Sequence, residues 1–210
     1  MIGKMFVTST GYDPEKGKDV KDPYLGPNPS LGACRPDIRR KLKEGDQIFV
    51  VSGSVRGVNQ YVIGGLEIAE KIDVLEAYRR FPEQRLRMGD DAQVTGNIIV
   101  DASGKQHKLD HHPKATFDRR IENYVVGRNR IVLATPEEIA EGRRLPLEIL
   151  REVFDRKGNT VRDIIGRACN MTEKQVLKLR ELLEAVKDSV RQPRPKELLR
   201  GLASAARIAG

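Results

Sequence analysis

The chain has 210 residues, a net charge of +8, 39% hydrophobic and 32% charged residues, and no Trp. That length supports one sizeable core or two small ones, and the composition is that of a folded chain rather than a disordered or low-complexity one. No apolar run approaches the ~18 residues that a membrane span needs, which excludes an integral membrane protein of the helical kind.

The elements follow in chain order. Ile2–Ser9 alternates weakly and opens a sheet. Thr10–Ala33 is the longest stretch without periodicity, and loops of that length inside a compact domain are functional or disordered. Arg35–Lys43 reads as a short basic helix with Pro36 in its permitted first turn. Gly45-Asp46 makes a tight turn in which Gly takes φ > 0 and Asp bonds nearby backbone. Ile48-Phe49-Val50-Val51 then reads as a strand buried on both faces, Gln47–Ser52. The small residues Ser52-Gly53-Ser54 end it and allow a ligand or another backbone close approach. A strand follows at Gln60–Ile68 and a helix at Asp73–Phe81, capped by Asp73 and stopped by Pro82. Gly96–Val100 and Arg130–Ala134 read as strands, and Pro136–Glu141 as a helix after the N-cap Thr135. Beyond Leu145 the pattern turns helical, at Leu147–Phe154, Thr160–Ala168, Thr172–Val190 and Pro195–Ile208.

This arrangement predicts an α+β protein. A small mixed, partly closed β-barrel with short helices spans residues 1–143, and an all-α domain spans 144–210. Charge is uneven across that boundary. Residues 1–143 hold 23 Lys/Arg against 21 Asp/Glu, and residues 144–210 hold 15 against 9. A basic C-terminal third predicts a polyanionic partner, nucleic acid before others, because neutralising phosphates is what such an excess serves.

Within Pro27–Ser54 the ordered features Asn28-Pro29, Cys34-Arg35-Pro36-x-Ile38-Arg39, Gly45-Asp46 and Gly53-Ser54 resemble the nucleotide modification associated domain of the second type. That domain lies in the PUA-like superfamily beside the EVE and YTH readers. The resemblance covers roughly residues 2–135, with Asn123-Tyr124-Val-Val-Gly127 as a further match. The chain departs from the family at Gln47, where Trp often stands, and in keeping Cys34 alone from a multi-cysteine stretch. The resemblance implies a PUA-like barrel and recognition of a modified base.

A modified base is read by lifting it from the stack, holding it against aromatic or apolar groups and hydrogen-bonding its edge. Candidates for that work are Asn28, Arg35, Arg39, Ser52, Ser54 and Tyr61, with Tyr24 as another stacking group. Arg40 and Arg56 are candidates for the phosphate backbone. His107, His111 and His112, near Asp101 and Asp110, have the spacing of a zinc pair only on a helix. Gly104 before them and Pro113 after them favour a solvated loop. No metal or cofactor is expected, and no nucleotide-binding glycine loop or Ser-His-Asp pattern occurs.

Asp163–Leu179 resembles a helix-turn-helix. Gly166 allows close helix approach, Asn170 suits a turn residue, and Thr172 with Gln175 forms a capping box. Lys174, Gln175 and Lys178 would then face a groove. The alternative is a plain bundle or dimer seam through Val176, Leu179, Leu183, Val186 and Val190.

The sequence therefore predicts a binding module for a modified base or nucleotide, on DNA before RNA, with the helical part adding DNA contacts or homodimerisation. An enzyme acting on modified nucleotides and a non-catalytic protein adaptor are the alternatives. Cys34 and Cys169, far apart and without C-x-x-C spacing, fit a reducing compartment. The opening MIGKMFVTST lacks a secretory apolar region, so a cytoplasmic location is expected, without a membrane partner.

Overall fold

The computed structural model describes residues 1–90 and 92–191. The chain starts with β1 (Gly3–Val7), and after a long loop come β2 (Ser30–Leu31) and α1 (Pro36–Lys41). A hairpin of β3 (Gln47–Val51) and β4 (Val62–Ile72) leads to α2 (Val74–Arg80). A two-stranded ribbon, β5 (Arg87–Met88) and β6 (Val94–Thr95), precedes α3 (Phe117–Ile121) and β7 (Tyr124–Val132). Then follow α4 (Pro136–Arg144), α5 (Pro146–Phe154), α6 (Val161–Ile165), β8 (Ala168–Met171) and α7 (Glu173–Arg191). The expected helix at Pro195–Ile208 lies outside the described residues.

The fold is mixed α+β. Six strands form one open sheet in the order β2-β7-β4-β3-β1-β8, so β2 and β8 are its edges. β1 and β3 run parallel, Gly3 opposite Gln47 through Val7 opposite Val51. The remaining neighbours are antiparallel. β3 is buried along its whole length, as its continuous apolar run requires. Gly45, at φ +83°, makes the turn before it. The Asp46 carboxylate accepts the N–H groups of Ile2 and Lys43, both at 2.9 Å, and so ties this turn to the start of β1.

The boundary expected at 143/144 does not separate two cores. β8 pairs antiparallel with β1, and Val176, Leu179, Leu183 and Val186 of α7 share one cluster with Met5, Ile48, Leu66 and Ile131. An edge strand with unpaired N–H and C=O groups and an amphipathic helix each need a partner: β8 pairs the open edge of β1, and α7 lays its apolar face in the core beside the sheet. The helix-turn-helix expectation is corrected in the same place. Its turn, Cys169-Asn170, is the middle of β8. The capping box nevertheless forms: Gln175 N–H donates to Thr172 Oγ1 and Thr172 N–H to Gln175 Oε1, at 3.3 and 2.9 Å. The stripe expected to make a dimer seam is buried in this chain's own core from Val176 to Val186.

A second, smaller cluster gathers Ile72, Ala77, Phe81, Ile98, Val100, Phe117 and Tyr124. Gly96–Val100 reaches it without joining the main sheet. Ile98 and Val100 make isolated bridges to Arg85 and Gln106 instead. β7 begins six residues before the expected strand. Its exposed Arg128 hides the strand pattern, and the cross-strand partner Glu67, 2.8 Å from Arg128 Nε, accounts for that charge. Among the described residues, no helix is long and apolar enough to cross a membrane.

Candidate functional site

Two adjoining cavities flank the C-terminal end of β1. The first, about 460 Å³, lies between the two core clusters. Phe6, Leu86, Ile99 and Leu109 give it apolar walls, and Tyr12, Val20 and Asp22 come from the long loop. The loop without periodicity is thus a wall of the site. Asp110, His111 and His112 line the same cavity, so the histidine segment is more than a solvated loop.

The loop is held by its own bonds and by the strand tip after β3. Gly53 N–H donates to the Tyr12 carbonyl at 2.7 Å, and Gly11 N–H to the Ser54 carbonyl at 3.0 Å. A Cβ on Gly53 would lie 2.1 Å from the Ser9 carbonyl oxygen. The small tip therefore receives another backbone. Below the loop, Arg143 binds Asp13 through both nitrogens, at 2.7 and 3.0 Å.

Asp22 shapes the cavity wall. Its carboxylate accepts backbone N–H groups of Gly32 at 2.7 Å, Ala33 at 2.9 Å, and Cys34. Arg35 follows in the left-handed region, at φ 50°, and starts α1. Consecutive N–H groups curled by such a residue form an anion nest, here filled by the chain's own carboxylate. Burial raises the pKa of the Asp22 carboxyl, and the nest donors with the nearby Arg39 charge oppose that rise. Burial and the Asp22 charge also push the Cys34 thiol far up, which keeps it neutral and a poor nucleophile.

Next to Asp22 lies a buried polar network. Asn97 donates to Ser30 Oγ at 2.9 Å and to Asp22 at 3.2 Å, and it accepts from the Tyr124 hydroxyl at 2.9 Å. Gln84 Oε1 accepts from Ser30 and, 2.7 Å from the Tyr124 oxygen, shares that one hydroxyl proton with Asn97. These groups bond one another and fix the two that line the cavity, Asn97 and Asp22, as a rigid floor. Polar groups open to a ligand include Ser9, Lys21 and the histidine segment. There His112 Nδ1 stands 2.6 Å from Asp110 Oδ1, and Gln106 donates to the other Asp110 oxygen at 2.8 Å. This carboxylate orients the imidazole, whose Nε2 has no partner among the described residues.

The second cavity, about 570 Å³, shares Val7, Thr8, Ser9 and Arg35 with the first. Ser54, Gln60, Arg162 and Arg167 complete much of it. Of the sequence-predicted residues, Arg35 lines both cavities and Ser54 the second. The Arg35 guanidinium lies 5.1 Å from the Phe6 ring centre and pairs with Asp37 at 2.7 Å.

The other candidates fall elsewhere. Tyr61 is fully buried under the Arg143 guanidinium, 4.6 Å from its ring centre, and cannot stack an incoming base. Ser52 is also fully buried, and its hydroxyl accepts the Tyr61 N–H at 3.1 Å. Arg39 has no exposure and braces the carbonyls of Ala33, Cys34, Arg120, Glu122 and Asn123. It is a structural clamp and does not reach phosphate. Asn28 binds Glu83 at 2.9 Å away from both cavities, and Tyr24 bridges Ser30. Arg40, Arg56 and Lys174 are exposed and outside both linings. Gln175 is committed to the capping box and Lys178 to Glu152 and Glu181, at 2.9 and 3.2 Å.

Asp22, Asn97 and Tyr12 escape the sequence reading, because nothing in a single loop residue signals where the chain folds back. His107 accepts the Leu109 N–H at 3.2 Å and lies outside the cavity lining. Among the described residues, no group of three His, Cys, Asp or Glu side chains is placed to hold a metal ion. No family model, curated protein or solved structure matches the chain.

Proposed function

We propose that this protein is a PUA-like binding module that takes a modified base or nucleotide into the first cavity. One observation carries the reading: a mostly apolar slot with a rigid polar floor and an oriented imidazole at its rim, large enough for one ring system. Ligand pockets of about 300–1,000 Å³ combine apolar walls with a few fixed polar groups in this way. Phe6, Leu109 and Ile99 supply ring contacts, and His112 reads an edge. The mixed sheet and the order of turn, strand and Gly53-Ser54 tip support the PUA-like part. The net charge of +8 supports a phosphate-bearing ligand.

The test is a binding panel of normal and modified oligonucleotides and free nucleotides at two salt concentrations. Selectivity that survives high salt belongs to a base pocket, because phosphate contacts fade with salt. Leu109→Trp fills the slot from a half-exposed loop and should abolish the selectivity while leaving the thermal midpoint near wild type. Unchanged selectivity in that variant would overturn the assignment.

The Asp110–His112 pair favours a second reading, an enzyme acting on a modified nucleotide. A carboxylate-oriented imidazole is the arrangement a general acid or base needs. His112→Gln separates the two. A binder that reads an edge with His112 loses affinity or selectivity and shows no turnover before or after the change, whereas an enzyme keeps binding and loses turnover.

A further inference from the structure

We propose that the second cavity is a phosphate subsite, placed so that a nucleotide held by its ring in the first cavity lays its phosphate between Arg162 and Arg167. This rests on the base-binding reading for the ring and on separate observations for the anion. Every charged residue on the lining is an arginine: Arg35, Arg162 and Arg167. Arg35 is neutralised by Asp37. Arg162 and Arg167 are exposed, and neither has a hydrogen bond or ion pair from its guanidinium among the described residues.

The neighbouring carboxylate makes no ion pair with either arginine and is turned to its own helix start. Asp163 accepts the N–H groups of Asn159 and Thr160 at 3.0 and 2.9 Å, inside its own capping box. Hydroxyls of Ser9, Thr10 and Ser54 line the same space, and these donate readily to phosphate oxygens. A guanidinium is the group best matched to phosphate, because its planar fork can donate two parallel hydrogen bonds.

The backbone holds the two arginines near the ring site. Val7 N–H donates to the Arg167 carbonyl at 3.1 Å, and Phe6 pairs with Ala168 across the β1–β8 ladder. Val7, Thr8, Ser9 and Arg35 line both spaces, so the two cavities share a wall. A nucleotide joins its ring to its phosphate through a sugar, and the shared wall is where that sugar would cross. The phosphate could belong to a free nucleotide or to a strand with the base turned out. Both present the same oxygens.

The experiment follows backbone amide shifts of Thr8–Thr10 and Gly166–Ala168 on adding inorganic phosphate to the full chain. Wild type should shift and Arg162→Gln/Arg167→Gln should not, while Arg162→Lys/Arg167→Lys retains part of the response. The four deoxynucleosides and their base-methylated forms, the corresponding 5′-monophosphates and single-stranded trinucleotides carrying each base are then compared. A 5′-monophosphate binding more tightly than its nucleoside, by about tenfold per arginine, assigns the site to free nucleotides. A gain confined to the trinucleotides assigns it to a strand. Loss of either gain in the glutamine variant supports the proposal. No shift with phosphate, an equal shift in the glutamine variant, or nucleosides that shift Asp22, Asn97 and Leu109 with no gain in either phosphate arm, overturns it. If instead phosphate shifts these amides but no nucleoside or nucleotide shifts those of Asp22, Asn97 and Leu109, the base-binding reading falls and the anion site stands.

Discussion

Replacing Arg143 with Met should cost about 3 kcal/mol, the lower end of what breaking a buried ion pair by removing one partner costs. The side chains of Arg143 and Asp13 are 11% and 1% exposed, and their two bonds of 2.7 and 3.0 Å tie the loop at 9–18 to α4. Arg143 also donates to the Asn59 carbonyl at 2.7 Å and covers the Tyr61 ring. Met fills most of the same channel, so the cavity contribution is small. The estimate sits low because Asp13 keeps the N–H groups of Glu15 and Lys16, at 3.0 and 2.9 Å.

The assay is urea denaturation of wild type, Arg143→Met, Asp13→Asn and the double variant at pH 7. The double-mutant cycle should return a coupling of about 2 kcal/mol. The pH dependence has a definite sign. Burial alone would raise the Asp13 carboxyl, but Arg143 and the Lys16 and Glu15 N–H groups outweigh it and hold it below the ordinary value. A depressed native pKa means that the contribution is complete above the unfolded value near ~4 and is lost as pH falls through the native one. The gap between wild type and Arg143→Met should therefore narrow as pH falls below about 4. A loss at pH 7 under about 1 kcal/mol, or a gap that persists undiminished in acid, would refute the reasoning.

Arg39→Leu strips donors from five carbonyls and should cost about 4 kcal/mol by chemical denaturation. Arg39→Lys should recover less than half of that, because an ammonium cannot span them, and a loss under about 1.5 kcal/mol would show the clamp to be dispensable. Gly53→Ala places its Cβ 2.1 Å from the Ser9 carbonyl oxygen and should cost about 2–3 kcal/mol. It should also shift the amides of Ser9–Tyr12. Gly45→Ala meets nothing within 4 Å and bears only its positive φ, so it should cost about 1–2 kcal/mol and leave those amides in place.

Much of the local structure was legible in the chain. The buried β3 run, the Gly45-Asp46 turn, the Asp73 and Thr135 caps and the Thr172–Gln175 capping box depend on residues within four positions of one another. β2, the β5–β6 ribbon and β8 were not legible. Each is two to four residues long and is a strand only because a partner lies beside it. The candidate residues divide in the same way. Arg35 and Ser54, at an expected helix start and strand end, line a cavity. Tyr61, Ser52 and Arg39 were suitable by type, yet the fold turned all three inward.

The sequence by itself determined a charged, basic α+β chain with its pivotal turn and strand between residues 45 and 54, and a long loop suited to function. Those properties follow from composition and from backbone preferences that act over a few residues. The tertiary structure decided that the helical third completes the sheet instead of standing apart, and that the loop, Asn97 and the histidine segment meet in one cavity. Ala33 and Arg120, or Asp13 and Arg143, are brought together only when the whole core closes, and local preference carries no information about such pairs.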